Sequence, residues 1–308
     1  MRTVAIITSV MLSLASIGKL GATEHKHGIS EKKQSVLFET QRPSEVKVAN
    51  GDWGNVNTDD IALLLNAVVA EMSQYFPDRQ LDTITVFPAQ HGPVVLYEKG
   101  PKNEYQVLLA AKGEHWAEYV YEFSHELFHI FSRYEYHAPP HRVRHQWFEE
   151  MLCEAVSLHM LKRFSAKWEQ SPPKAEWKGY AHELHQFTRR ALSEHHRQLP
   201  ANVSFEEWFL KNESRLVDQP YLRKKNELVA TIFLPLIEEV PDWRAVSYLN
   251  VDHQEGEANF RNHLARWYRK TPPSQREFVA RAAAVFNLHR SADTNQPKRT
   301  TNAFGLMN

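Results

Sequence analysis

From Trp116 to Phe131 the apolar residues fall at helical spacing, and the same stretch carries His125, Glu126 and His129 in the run SHELFHI. Trp116, Tyr119, Val120, Phe123, Leu127 and Ile130 or Phe131 make one stripe that has to be buried, so a helix over about residues 114–134 must sit within a packed fold. After a loop holding Pro139 and Pro140, the run HQWFEEMLCEAVSLHM starts a second helical pattern over about residues 146–166.

The flanking segments complete an α+β class. Upstream, Thr58 reads as an N-cap, and IALLLNAVVAEMSQYF keeps helical spacing until Pro77. Three short β-like runs follow at 81–88, 93–98 and 104–111, each rich in Val, Ile, Leu, Thr or Tyr and bounded by Gly, Pro or Asn. Beyond Pro172-Pro173 the pattern predicts a helical C-terminal half of residues 171–290, punctuated by Pro200, Pro220, Pro241 and Pro272-Pro273. The ends read differently. Residues 23–50 are polar with one short β-like run at 36–38, and 291–308 read as a loose tail.

Residues 1–22 read as a secretory signal peptide: Arg2, an apolar run from Val4 to Ile17, then small Ala22 before Thr23. That run is shorter than the roughly 20 residues that cross a bilayer. An exported protein, periplasmic or secreted and without a lasting membrane span, is the expectation. Lys and Arg total 37 against 37 Asp and Glu, a balance that argues against binding nucleic acid by bulk charge. The single cysteine, Cys153, excludes an internal disulfide and reads as a small core residue.

The chemistry lies in the helix pair. Histidines four apart lie on one helical face about a turn apart, so both imidazoles of HExxH can reach one metal ion. Glu126, about 100° round the axis from His125, can reach a metal-bound water as a general base without being a ligand. Seventeen histidines make a chance motif easier, and a helix with two surface or core histidines is the alternative. A hydrolytic zinc site needs a third protein ligand and an open position. Glu149 and Glu150 open the next helix, about 20 residues past His129. Helical phase favours Glu150, with Glu154 one turn on to accept a hydrogen bond from a ligand histidine. Glu149, the rival, shares its face with Cys153.

SHELFH followed by WFEEMLCEA resembles the gluzincin branch of HExxH metallopeptidases, the thermolysin and aminopeptidase-like group. It is most similar to small bacterial domains of the peptidase-MA type, with their Trp-Phe-x-Glu-Gly-Leu-Ala-Glu segment. Trp147 and Phe148 match the aromatic pair, Glu150 the zinc-ligand glutamate and Glu154 the acid that steadies a ligand histidine. Met151 stands for the usual Gly and Cys153 for a frequent Ala. The matched motifs span about residues 105–165.

The resemblance implies a zincin-like catalytic domain over 51–170 with a small mixed sheet above the HExxH helix. Its edge strand would bind a peptide or protein substrate, a role that residues 104–111 fit. It also implies Zn2+ on His125, His129 and Glu150, Glu126 as base, and a Tyr or His that donates to the oxyanion. Tyr221 matches that last position best, with Tyr180, His182 and His185 as competitors. The expected activity is zinc-dependent hydrolysis of peptide bonds; a non-catalytic zincin-like binding or assembly module of the cell envelope is the alternative. No Gly-Ala-Met-Glu-Asn-like segment is present, which tilts the expectation towards an endopeptidase. The remaining histidines, His137, His141, His145 and His159, read as solvated or pocket-tuning. His195-His196 and the N-terminal His25 and His27 carry no further metal motif.

Overall fold

The computed structural model describes residues 44–137, 144–251 and 259–287. The expected signal peptide, the β-like run at 36–38, His141 and the 291–308 tail lie outside the described residues.

The chain is mixed α+β. In order, it forms β1 (Val46–Val48), α1 (Thr58–Ser73), β2 (Ile84–Pro88), β3 (Val94–Val95), β4 (Tyr105–Leu109), α2 (Trp116–Ser132), α3 (Gln146–Gln170), α4 (Tyr180–Ser193), α5 (Phe205–Asp218), α6 (Arg223–Glu239), α7 (Phe260–Lys270) and α8 (Arg276–Val285). Helix α1 starts where the pattern placed it, but its cap is Asn57, whose side chain accepts from the Asp59 amide. Helix α3 runs four residues beyond the expected end, to Gln170.

The sheet has the order β1-β2-β4-β3, with β1, β2 and β4 parallel and β3 antiparallel to β4. This corrects one expectation. Residues 104–111 do not form an edge: β4 lies between β2 and β3, because Val94 and Val95 pair with Leu108 and Val107. The edges are β1 and β3. Strand β1 lies within the stretch expected to be polar, and its three residues between charged neighbours gave no periodicity to read. Its outer side is covered by α1, where Asn66 accepts from the Val46 amide at 3.0 Å and donates to its carbonyl at 3.3 Å.

One hydrophobic cluster runs from Val46 on β1 to Phe286 after α8. Helix α2 lies in its middle, against β3, β4, α1 and α3. Helix α3 in turn packs on α4 and α6. Trp147 and Phe148, at the start of α3, insert into an aromatic group with ring centroids 4.8 and 5.0 Å from Phe260. That packing fixes the N-terminus of α3, from which Glu149 and Glu150 project. Farther along, Glu71 of α1 pairs with Arg163 at 2.7 Å and Lys167 at 3.1 Å, tying α1 to α3.

His159 is not solvated. It is buried between Tyr75, whose hydroxyl is hydrogen-bonded to Nε2 at 2.9 Å, and Trp243. Burial pushes its pKa down to about 4 from an ordinary 6.5. The folded state therefore excludes a proton that the unfolded chain binds, so this stability is present above pH 6.5 and lost as the pH falls towards 4. The loss is at most about 3 kcal/mol, since each pKa unit corresponds to about 1.4 kcal/mol. Denaturant midpoints at pH 7 and pH 4 should converge in His159→Gln, which keeps an acceptor for Tyr75 but cannot charge.

Candidate metal centre

The site is built where α2 and α3 face each other. Every residue of α2 from Glu122 to Ser132 is buried, including His125, Glu126 and His129, and α3 buries Glu149, Glu150 and Glu154. Burying carboxylates and imidazoles is costly unless each has a partner, and here each has one.

Glu150 spans the two imidazoles. Its Oε2 lies 3.3 Å from His125 Nε2, and its Oε1 lies 3.6 Å from His129 Nε2. The two rings stand 5.1 Å apart between centroids. Gln146, one turn earlier on α3, donates to Glu150 Oε1 at 3.3 Å and faces His137 Nδ1 at 3.0 Å through its own oxygen.

Glu149 takes the place that the sequence assigned to Glu154. Its Oε1 lies 2.9 Å from His129 Nδ1 and accepts from the Ser132 hydroxyl, while its Oε2 lies 3.3 Å from His137 Nδ1. A carboxylate on Nδ1 fixes the tautomer that leaves Nε2 free to bind a metal. Glu154 instead accepts from the Tyr121 hydroxyl and from Arg197 Nη2 at 2.6 Å. The reason lies outside α3: Arg197, in the short turn after α4, is buried between Glu154 and Glu227 and claims the Glu154 carboxylate. His137 and His145, read as solvated loop residues, are both buried.

Glu126 holds a different contact. Its Oε2 accepts from the Val95 amide at 2.7 Å, an N–H of β3 that points away from β4. The base candidate is therefore fastened to the free side of the edge strand. Burial raises its pKa, partly offset by His125 and His129. Burial disfavours the His129 imidazolium, but Cys153, Glu150 and Glu149 outweigh that and raise its pKa well above the usual value. Burial acts likewise against ionised Glu150, yet His129 and His125 keep it below the ordinary carboxylate range.

An open cleft adjoins the cluster, lined by His125, Glu150, Pro93, Tyr221, Glu122 and Arg223 among others. Tyr221 sits two residues before α6, in a turn pinned by Asn226 Nδ2 donating to the Pro220 carbonyl at 2.7 Å. Burial raises its hydroxyl pKa, and the Glu150 carboxylate adds to the effect. The competitors are elsewhere. Tyr180 donates to Glu114 at 2.6 Å, and His182 and His185 are exposed on α4. Tyr97, for which the sequence gives no signal, follows β3 and stacks on Tyr134 at 5.5 Å; burial raises its hydroxyl pKa, and Glu149 and Glu150 add to the effect.

Comparison with family models, with characterised proteins and with solved structures finds no match. The geometry therefore carries the reading alone.

The donor set fits a divalent transition metal. Two imidazole Nε2 atoms each face one oxygen of the Glu150 carboxylate, and one imidazole is braced from behind by Glu149. This is a borderline-soft N/O set suited to zinc. Cys153 is also close: ligand atoms of His125, His129 and Cys153 lie within 4.8 Å of one another. Glu150 lies outside that compact trio, but each of its two oxygens faces one Nε2 atom, which makes it the rival third donor. Cys153 is fully buried, and burial pushes its thiol pKa far up.

Proposed function

We propose that this chain is a zinc-dependent hydrolase of peptide bonds with a zincin-like catalytic fold. The observation that carries the reading is Glu150 bridging His125 Nε2 and His129 Nε2, with His125 and Glu150 lining a cleft and the buried Glu126 next to His125 on the same helix. His125, His129 and Glu150 would hold the ion, which when bound supplies a Lewis acid and an acidified water.

The chain's own groups supply the rest. Glu126 is placed to take a proton from the attacking water and return it to the leaving amine. It sits against β3, whose outward edge offers main-chain groups to an extended peptide. Binding there would bring a scissile carbonyl past Glu126, and the Val95 amide keeps the carboxylate oriented until then. Tyr221, lining the same cleft, is placed to donate to the oxygen that gains charge. Tyr221→Phe is expected to lower kcat about a hundredfold with little change in KM, whereas Tyr180→Phe leaves both unchanged. Steady-state kinetics on one peptide checks both.

Zinc content measured beside cleavage of a peptide library tests the reading. Near-stoichiometric zinc and chelator-sensitive cleavage are expected. Protein that binds no transition metal would sink it. Zinc retained without cleavage of any peptide would favour a binding or assembly module on the same scaffold. Export to the periplasm or medium forms part of the proposal, resting on the apolar run after Arg2. Among the described residues no helix is long and apolar enough to cross a membrane.

A further inference from the structure

The cleft contains a carboxyl that the hydrolytic machinery does not use. Glu122 lies on α2, three residues and so about one helical turn before His125. It is only 2% exposed and lines the cleft. Its Oε2 accepts from the amides of Ala110 at 2.8 Å and Ala111 at 2.9 Å, at the end of β4. Both bonds converge on one oxygen, which leaves Oε1 for a ligand.

The other acids around the cleft are matched. Glu227 has Arg223 at 2.6 Å, Glu154 has Arg197 at 2.6 Å, and Glu150 has the two imidazoles. Glu122 forms no ion pair among the described residues, and the charges acting on it, Glu118 and Glu126, are acidic. A buried anion in that position is unfavourable until a cation joins it. We propose that Glu122 selects substrates with a cationic group, an ammonium or guanidinium, on a residue flanking the scissile bond. Burial, which lifts the Glu122 carboxyl to about 7, agrees with a site awaiting a positive partner. The inference rests on the peptidase reading for its substrate and on the cleft alone for its cation.

The test uses the full chain and peptides that differ at one position, Lys against norleucine, scanned along a neutral sequence with free or acetylated amino termini. Wild-type protein is expected to prefer Lys beside the cut, or the free terminus there, by roughly tenfold or more, the scale of a hydrogen bond to a charged group. Glu122→Gln keeps an oxygen for the Ala110 and Ala111 amides and should bring that ratio of kcat/KM near one. A ratio near one in wild type overturns the proposal without any variant, as does a preference that survives in a folded Glu122→Gln protein. Dependence on acetylation distinguishes an α-ammonium from a side-chain cation. Fluorescence anisotropy of the same peptides on Glu126→Gln, with and without Glu122→Gln, separates the two readings. If no peptide is cleaved but binding retains a Glu122-dependent Lys preference, the peptidase reading fails and cation recognition stands. If binding shows no such preference, the inference fails.

Discussion

Glu126→Gln is expected to lower kcat by about 10²–10⁴-fold, the range for removing a positioned general base, while zinc content stays at the wild-type level. The reasoning is geometric. Glu126 forms no ion pair with either imidazole among the described residues; its carboxylate accepts from the Val95 amide at 2.7 Å. Glutamine has nearly the same shape and keeps an oxygen to accept that bond, so strand β3 and helix α2 should stay in place. What is lost is the capacity to take a proton. Metal analysis, a thermal melt and single-turnover cleavage measured on one preparation check this. Cleavage at the wild-type rate with full zinc would remove Glu126 from the chemistry. Loss of zinc together with activity would mean that the carboxylate also holds the ion, against its placement on the edge strand.

The helix pair and its charged residues were legible in the sequence because each signal is local. HExxH needs only the i, i+4 geometry of one helix, and the apolar stripe from Trp116 to Phe131 announced that helix. Glu150 followed from phase within α3. At the site, the differences concern partners contributed from elsewhere in the chain. Glu149 and Glu154 project from well-separated sides of α3, and nothing within α3 says which will meet an imidazole. That was decided by Arg197, 43 residues beyond Glu154, and by Ser132 and His137 converging on Glu149. The edge strand was misplaced for a similar reason. Residues 104–111 look like a strand because they are one, but whether a strand is an edge depends on its neighbours. Here the neighbour is β3, within the β-like run at 93–98, and nothing in that run says which strand it pairs with. The resemblance suggests Tyr221 by its position after the glutamate, and in the fold Tyr221 lines the cleft together with His125 and Glu150. Glu122 has no signal in the sequence, because a glutamate three residues before a histidine has no pattern of its own; only the fold shows it lining the cleft and accepting from the Ala110 and Ala111 amides.

Glu150→Ala should strip the site of metal, and the contrast with Glu149→Ala decides between neighbouring carboxylates. Glu150 presents one oxygen to each imidazole Nε2, at 3.3 and 3.6 Å, so its removal takes away the third donor and the group that draws the two rings together. Glu149 is engaged on the other nitrogen of His129, at 2.9 Å from Nδ1. Removing it leaves three donors but frees the ring, and loss of such a supporting carboxylate costs about 10–100-fold in metal affinity. Glu150→Ala is thus expected to purify without zinc and to show no chelator-sensitive cleavage. Glu149→Ala should bind zinc weakly and regain activity when zinc is added in excess. Cys153→Ala should load as wild type, because Glu150 already faces both Nε2 atoms. Titration with a chromophoric chelator, read beside a thermal shift on adding zinc, ranks the three variants. If Glu149→Ala loses the metal and Glu150→Ala keeps it, the third ligand has been assigned to the wrong neighbour. If Cys153→Ala alone loses it, the ion lies deeper between the helices, away from the water that Glu126 would activate, and the centre is structural.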